Sequence, residues 1–566
     1  MKAALFGGAL AASLCVAVLV YRGGSSHGLA VAWFLSLFPF ALATRAPRRA
    51  GRERPGALPG ALLLLAVAAF PVLVRMANMD SRRMHPDEFI TAYFSATHDF
   101  GHSKLLDHPD AARPGFFGYI PERWEWVAQF PKPFFLLQRA FFSLFGESVL
   151  AVRLSGQMYV AVISVMLFLI VREILDRATA LVAVGLYSFF AISVYFETLS
   201  LMFISSTAIF IVFFYFALRA YRTGELFDAA MSGLACGFCY LTYYSSYLAL
   251  PLLLAFGAVA FLRARRFLVL QNFAIALAGM LLVLAPFAAY GLRYGNYVAT
   301  RPNQVSLLTG TWSPHREAIA RGANPLPIIR DNLVLVSKSF VTNGMGGSQG
   351  FDFGHRAFFD SFTLALFLAG ILSGLVLLWR RSELLFVFLV IGAAFFGGVV
   401  LTIEPAAYHR FSIAFPFLAI VMALPFYLLL RLPRPPMRIR AALAAGLFLL
   451  FASVNQRLFV EAVAIEKPAD DLRLAQFLRQ RYPGRSVYVA AYGGFAYDKV
   501  LYFVMKPARP TKIATEYHTS LLKTFNPREK YVYAILFPAE FDKRFREADP
   551  NGRLFPFSRT WSVFAN

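Results

Sequence analysis

The sequence is poor in charged residues and in cysteine. Only 15% of its 566 residues are charged, whereas 58% are hydrophobic and sixty are phenylalanine. Soluble domains contain about 25% charged residues, so this composition excludes an ordinary soluble protein and predicts a polytopic membrane protein. The three cysteines all lie inside apolar segments. This excludes a disulfide framework, and it favours Cys236 and Cys239 as small packing residues over a redox pair.

Acidic residues are also few, 32 against 55 lysines and arginines, which gives a net charge of +23. A basic protein could bind nucleic acid, but these residues do not form one soluble patch. They lie in short clusters between apolar runs, at 45–54, 219–222, 263–266, 379–381 and 431–440. Cytoplasmic loops of membrane proteins have this pattern, so we expect a lipid bilayer as partner and no nucleic acid.

About thirteen apolar runs are close to the ~20 residues that cross a bilayer as a helix. They are 3–21, 28–44, 57–76, 154–171, 178–196, 199–218, 227–244, 246–262, 267–290, 358–378, 383–403, 410–430 and 441–459. If 178–218 and 227–262 each form two spans, every basic cluster falls on one side of the membrane. The N-terminus is then cytoplasmic and the C-terminal tail lies outside. The first run lacks a convincing cleavage site, so we interpret it as an uncleaved span.

The loops on the outer side are the large ones: 77–153, 291–357 and the tail from about 460, counted with the same charge rule. All nine histidines fall on this outer side. We therefore expect any chemistry to take place outside the cytoplasm.

The tail differs from the rest of the chain in its pattern. Residues 469–482 have the apolar spacing of an amphipathic helix, and 486–492 and 530–537 have strand patterns. These elements predict a small extracytoplasmic α/β domain at 460–566, after a transmembrane domain at 1–459.

The stretch MHPDEFITAYF, which begins at Met84, places His85, Asp87 and Glu88 at the outer end of an apolar run. Carboxylates at a membrane boundary are stable where they face water or serve a function. One interpretation is an ordinary helix start, with Pro86 at the first position and the acids in the first turn. The other is a catalytic carboxylate. The spacing alone favours the helix start.

Four elements follow one another along the chain: Asp87-Glu88, Pro131-Lys132-Pro133-Phe134, Phe145-Gly146 with Ala151-Val152-Arg153-Leu154, and HRFSIAFPFLAIVMALP at 409–425. In this order they resemble the polyprenyl-phosphate-sugar-dependent GT-C glycosyltransferases, the group of protein O-mannosyltransferases and aminoarabinose transferases. The resemblance covers 84–220 well and the later spans loosely. The chain departs from the pattern in Phe134, in a long loop before Lys132, and in two extra spans before the acids.

This resemblance implies a GT-C-like fold, to which the apolar runs and their flanking charges add the expectation of about thirteen transmembrane helices. It also implies an inverting transfer of a single sugar from a polyprenyl-phosphate carrier. The acceptor would be a lipid A, glycan, lipid or protein of the envelope, on the outer side of a bacterial cytoplasmic (inner) membrane. The sequence has no P-loop and no Rossmann-type glycine run, in agreement with a donor that is not a nucleotide sugar.

Transfer from such a donor needs a base for the acceptor and cations for the leaving phosphate. The resemblance makes Asp87 the base. Glu88 would orient it, bind the acceptor or raise its pKa through like charge. Lys132 is the phosphate ligand at the matching position, with a snorkelling lysine as the alternative. Weaker phosphate ligands, with lipid-headgroup contact as an equal alternative, are Arg356, His409 and Arg410.

Candidate substrate-binding residues are His85, Tyr93, Tyr243 and Tyr244. The tyrosines of TYYSSY (242–247) could stack on a sugar. An aromatic belt at the membrane interface explains them with fewer assumptions, and it is the favoured interpretation.

A metal site is a further possibility, because His85, Asp87 and Glu88 together with His98 and His102 could supply ligands. The HxxxH spacing is frequent by chance, however. We therefore predict no metal and no other cofactor, and the resemblance leaves a divalent metal open.

A transporter or flippase of lipid-linked sugars is the main rival, since many spans fit either class. Transporters commonly have broken helices at matching positions of two halves, and the sequence shows no such symmetry. A non-catalytic polysaccharide-assembly partner is disfavoured by the intact Asp87. An oligosaccharyltransferase is disfavoured because a WWDYG-type signature is missing from the sequence.

Overall fold

A computed structural model describes most of the apolar runs and parts of the outer regions. The described residues are 2–22, 27–45, 57–79, 85–97, 133–264, 267–294, 300–345, 351, 353–404, 407–465, 470–483, 485–490, 531–536, 547, 550–557 and 561–565.

The chain divides into two compact units. The first, called the membrane unit here, comprises Met1–Arg82, Gly115–Phe134 and Arg153–Ile465. The second, called the loop–tail unit, comprises Arg83–Pro114, Phe135–Val152 and Glu466–Asn566. The tail is thus grouped with two parts of the region 77–153, which no sequence pattern indicated. The predicted domain boundary between 459 and 460 stays a prediction.

Helices make up the described part of the membrane unit. In chain order the α-helices of the chain are α1 (Lys2–Tyr21), α2 (His27–Thr44), α3 (Ala57–Ala77), α4 (Pro86–Thr97), α5 (Pro133–Phe145), α6 (Val149–Ile174), α7 (Arg177–Phe189), α8 (Ala191–Glu197), α9 (Met202–Thr223), α10 (Leu226–Cys239), α11 (Ala249–Ala264), α12 (Phe267–Tyr294), α13 (Thr300–Val305), α14 (Arg316–Ala320), α15 (Pro325–Val341), α16 (Ser361–Leu378), α17 (Leu384–Ala393), α18 (Phe415–Arg431), α19 (Met437–Ile465) and α20 (Asp470–Arg481). Two 3-10 helices, Tyr244–Leu248 and Tyr408–Ala414, and one π-helix, Ala394–Val400, adjoin them. The strands are β1 (Ser486–Ala490), β2 (Tyr531–Leu536), β3 (Arg553–Pro556) and β4 (Trp561–Ala565).

Each predicted apolar run contains a helix. Among the described residues, nine helices are long and apolar enough to cross a membrane, and ten if the bent pair α7–α8 is one span. The remaining runs contain the shorter apolar helices α2, α10 and α17, the last together with the π-helix. A polytopic helical membrane protein is therefore confirmed, whereas the count of thirteen crossings is not.

A hydrogen bond to a distant helix stabilises the bend between α7 and α8. The two helices are bent by 63°, and Phe190 between them has a ψ of 110°, outside the helical range. The N–H of Ala191 has no acceptor within its own helix because it lies in the first turn of α8. It donates instead to Asn455 Oδ1 on α19 at 2.9 Å. Asn455 also donates to Thr363 on α16 at 3.1 Å, so one polar side chain fixes the broken helix to two others.

The two N-terminal helices, α1 and α2, pack against the later helices. Ser13 of α1 and Trp33 of α2 both donate to Leu282 O on α12, at 2.8 and 3.2 Å. Gly233 of α10 approaches α12 so closely that a Cβ would lie 1.9 Å from Ala276 O. Small residues at a crossing let helices pack tightly in lipid. The first two helices are therefore an integral part of the membrane unit.

The loop–tail unit contains two parts of the region 77–153 and the tail. A hydrogen bond from Ser95 to Gln138 joins α4 to α5. In the tail, β1 and β2 are parallel, and β4 lies antiparallel between β2 and β3. The predicted helix at 469–482 and the strands at 486–492 and 530–537 correspond to α20, β1 and β2. The tail therefore has the expected α/β elements, and its status as a separate domain stays a prediction.

Candidate functional site

Helix α4 begins directly after His85, which caps it. Pro86 occupies the first helical position. Glu88 Oε2 accepts a hydrogen bond from His85 N at 2.9 Å, and His85 Nδ1 accepts one from Asp87 N at 3.1 Å. These two bonds form the reciprocal cap of a helix start. The interpretation of this stretch as a helix start is therefore confirmed for His85 and Glu88.

The two adjacent carboxylates have different surroundings. Glu88 is fully buried, whereas the Asp87 side chain keeps 26% of its surface exposed. Because His85 Nδ1 accepts the N–H of Asp87, the neutral ring carries its proton on Nε2. Asp87 Oδ2 lies 3.8 Å from the same Nδ1 atom. Asp87 is thus the more accessible carboxylate, and Glu88 holds the helix end.

The late candidates His409 and Arg410 lie on the 3-10 helix Tyr408–Ala414, and both are buried. The Nε2 atom of His409 lies 3.2 Å from the hydroxyl of Tyr243, and the ring centroids of Tyr243 and Tyr244 are 4.6 Å apart. Arg410 interacts electrostatically with both tyrosines. The structure therefore brings four of the predicted site residues together from two distant segments. We call these four residues the cation–tyrosine cluster.

The tyrosines of this cluster do not form an interfacial belt. Tyr243 is 5% exposed and Tyr244 is 9% exposed, whereas belt residues face the lipid headgroups. The favoured sequence interpretation is therefore wrong. Its physical reason is local: α10 ends at Cys239, and the chain continues into a 3-10 helix in which Tyr244, Ser245 and Ser246 are buried.

Aromatic rings surround His409. The ring centroids of Phe351 and Phe203 lie 4.1 and 5.9 Å from that of the imidazole. Phe351 is also fixed to the same 3-10 helix, since its carbonyl accepts the N–H of Tyr408 at 3.2 Å. Such rings exclude water, and polar interactions are stronger where the local dielectric constant is low.

Arg410 is the most buried cation of the cluster, with 2% of its surface exposed. Its Nη2 donates to Glu404 Oε2 at 2.8 Å, and its Nη1 donates to Ile403 O. Its Nε is buried and has no hydrogen-bond partner within the described part of the chain. A buried guanidinium with a spare donor suits an anionic ligand.

Arg356 is paired with helix α19. Its Nη2 lies 3.2 Å from Glu461 Oε2, and its side chain is 30% exposed. Glu461 also accepts a hydrogen bond from Arg457 at 2.8 Å. Because this pair is shared and partly hydrated, Arg356 is a weaker anion ligand than Arg410.

Several predicted residues have no described side chain. Lys132, His98 and His102 lie outside the described residues, and of Tyr93 only its place in α4 is described. Their roles stay predictions. Within the described ranges, no group of three or more His, Cys, Asp or Glu residues could hold a metal ion.

A buried ion pair between α3 and α8 was not predicted from the sequence. Arg75 Nε donates to Glu197 Oε2 at 3.0 Å, and both side chains are almost completely buried. Tyr187 and Ser193 donate to the same oxygen at 2.7 and 2.9 Å. The available signal was an ionisable residue at the end of each of two apolar runs, since such residues are rare in membranes and have partners.

Comparison with known proteins identifies the class of fold. Residues 131–290 match the family described as dolichyl-phosphate-mannose-protein mannosyltransferase. This segment begins at Pro131, the first residue of the lysine element. No curated protein matches the chain.

The structure is similar to the crystal structure of ArnT from Cupriavidus metallidurans bound to undecaprenyl phosphate. The TM-score is 0.51 at 13% identity, and the match covers 90% of this chain and 98% of that chain. The apo state of the same protein matches at a TM-score of 0.47 and 14% identity, over 90% and 98% of the two chains. Arabinosyltransferase EmbB from Mycobacterium smegmatis matches at 0.41 and 13% identity, over 83% of this chain and 45% of that chain.

The first of these matches has a TM-score above 0.5 and shows that the chain has a GT-C-like fold. At 13% identity it shows the fold alone. The resemblance derived from the four motifs is thereby confirmed, and the long apolar helices make the chain an integral membrane protein.

Proposed function

We propose that this chain is an inverting glycosyltransferase. It moves a single sugar from a polyprenyl-phosphate carrier to a lipid A, glycan, lipid or protein acceptor on the outer side of a bacterial inner membrane. The main support is the fold, because over 90% of its length the chain resembles ArnT, whose crystal structure holds undecaprenyl phosphate. The matched mannosyltransferase segment supports sugar transfer.

Asp87 is the base in this proposal. The acceptor oxygen attacks the anomeric carbon, the bond from that carbon to the carrier phosphate breaks, and the acceptor proton passes to Asp87. Attack from the face opposite the phosphate inverts the configuration. A base must reach its substrate, and Asp87 is 26% exposed where Glu88 is fully buried. Glu88 positions the helix start, and we assign substrate contact to His85 and Tyr93.

The leaving phosphate departs as an anion, so cations must stabilise its developing charge. Arg410 and His409 supply this charge in the proposal, because they are buried beside Tyr243 and have low exposure to water. Lys132, by its motif position, and Arg356 are further phosphate ligands. We propose substrate contact for Tyr243 and Tyr244, and no cofactor.

A transporter of lipid-linked sugars remains the second candidate. One observation favours it: the bent pair α7–α8 is a broken helix, and broken helices surround the substrate sites of many transporters. A transferase and a transporter differ in detergent solution, where only a transferase can turn over.

The test of the proposal begins with mass spectrometry of envelope lipids, glycans and proteins from cells. It compares the wild-type gene, a deletion, Asp87→Asn and Glu88→Gln. We expect the deletion and Asp87→Asn to lose the same sugar mass from one acceptor, since loss of a general base lowers the rate by about 10²–10⁴-fold. Glu88→Gln is the matched control, because glutamine also completes the helix cap, and it should keep transfer.

The second part uses the purified chain in detergent with a polyprenyl-phosphate sugar. A transferase releases polyprenyl phosphate when the acceptor is added, whereas a transporter releases none. If the deletion loses a sugar while folded Asp87→Asn protein does not, Asp87 is not the base.

A further inference from the structure

Glu404 is the only carboxylate bonded to Arg410 among the described residues, and it is an unusual counterion for so buried a group. Its side chain is 38% exposed, whereas that of Arg410 is 2% exposed. Its backbone has a φ of 63°, in the left-handed region that residues other than glycine rarely adopt. A buried charge needs a partner, but here the partner reaches in from a strained, partly hydrated turn.

The hydrogen bonds between the two side chains are also incomplete. A guanidinium can form two parallel bonds with a carboxylate or a phosphate. Glu404 takes one such bond, from Nη2 at 2.8 Å. Among the described residues, the buried Nε of Arg410 has no acceptor. An anion with more oxygen atoms on one centre would use Nε and Nη2 together.

We propose that Glu404 is a positioning residue. In the absence of ligand, its carboxylate occupies the position on Arg410 that the carrier phosphate takes when it binds. When the lipid phosphate binds, its oxygen atoms accept hydrogen bonds from both Nη2 and Nε of Arg410. The Glu404 side chain then rotates into the solvent. This inference rests on the proposed function, because it assumes that Arg410 binds the carrier phosphate. Glu404 keeps the guanidinium oriented and paired between turnovers, and it competes with the ligand for that group.

The test measures the dissociation constant of undecaprenyl phosphate for the purified full chain in detergent. We expect Glu404→Gln to bind about three- to tenfold more tightly than the wild type, because the competing charge is gone while Arg410 remains. A counterion with a purely structural role would give weaker or unchanged binding. The matched control is Glu173→Gln, since Glu173 is also partly exposed, at 30%, and pairs with Arg222. It should bind as the wild type does.

A second variant covers the case in which Glu404→Gln does not fold. Glu404→Gly removes the same charge and accepts the left-handed backbone without strain, so it should also bind more tightly. Equal or weaker binding by the folded variants would overturn the role of Glu404. If the wild type itself does not bind undecaprenyl phosphate, the carrier in the proposed function is wrong, which is a different result.

Discussion

Two buried arginines of the membrane unit each pair with a carboxylate, and they differ in how completely they are bonded. Arg75 donates from Nε and Nη2 to Glu197, from Nη1 to Pro71 O and from Nη2 to Ser193. All three of its nitrogens therefore have acceptors. In the part of the chain that the structure describes, Arg410 has acceptors for Nη1 and Nη2 but not for Nε.

The carboxylates differ in the same direction. The Glu197 side chain is 2% exposed, and that of Glu404 is 38% exposed. In the first pair, the atom that has no hydrogen-bond partner among the described residues is Oε1 of Glu197, an acceptor that cannot donate to an anion. The atom left over in the second pair is a donor. A fully bonded guanidinium holds helices together, whereas one with a spare donor and a releasable partner is suited to a ligand.

The largest effect should come from breaking the fully bonded pair of Arg75 and Glu197. Arg75→Met leaves Glu197 buried without its cation, and loss of one partner of a buried pair destabilises by about 3–5 kcal/mol. We expect a marked fall in the melting temperature of the detergent-solubilised protein. The double variant Arg75→Met/Glu197→Gln should recover most of that loss, because both charges are then gone. A single variant that melts like the wild type would contradict the structural role of this pair.

The helices of the fold were predictable because each apolar run is long and continuous. The bend between α7 and α8 was not, since it depends on Asn455, which lies 264 residues after Ala191 along the chain. The break predicted between 196 and 199 does agree with the end of α8 at Glu197 and the start of α9 at Met202, whereas two crossings in this stretch stay a prediction. Local patterns therefore located the helices, and distant contacts determined their bends.

The candidate site was predictable in part for the same reason. The helix start at His85 follows from its neighbours in sequence, so the capping role of Glu88 could be anticipated. The burial of Tyr243 beside His409 could not, because it joins segments 166 residues apart. The pairing of Arg410 with Glu404 depends on a left-handed backbone conformation at Glu404. The sequence does not indicate this conformation, because the residue is not a glycine.

Breaking the incompletely bonded pair of Arg410 and Glu404 should affect activity more than stability. In the proposed mechanism, Arg410→Met removes a preorganised donor from the leaving phosphate, and such losses reduce the rate by about 10²–10³-fold. The melting temperature should fall less than in Arg75→Met, because Glu404 is partly exposed and can be hydrated in place. Steady-state transfer and thermal melting of the same preparations check both parts. Equal losses of stability in the two arginine variants would remove the distinction between the pairs.

The smallest effects should come from two tyrosine hydroxyls, one beside each pair. The Tyr187 hydroxyl donates to Glu197 Oε2 at 2.7 Å, and the Tyr243 hydroxyl lies 3.2 Å from His409 Nε2. Tyr187→Phe should therefore lower stability by about 1.5–3 kcal/mol, the range for a hydrogen bond to a charged group, and leave the KM for the donor unchanged.

Tyr243→Phe should do the opposite. This variant loses the hydrogen bond between Tyr243 and His409, and we propose that His409 binds the leaving phosphate. The KM for the donor should therefore rise about threefold to tenfold, which corresponds to roughly 0.7–1.4 kcal/mol. The melting temperature should change little. Donor titrations and melting curves of both variants check this: Tyr187→Phe should change only the stability, and Tyr243→Phe mainly the KM. If Tyr243→Phe lowers stability and leaves the KM unaltered, the cation–tyrosine cluster is a packing feature like the pair at Arg75. Phosphate binding would then have to be sought at Lys132 and Arg356.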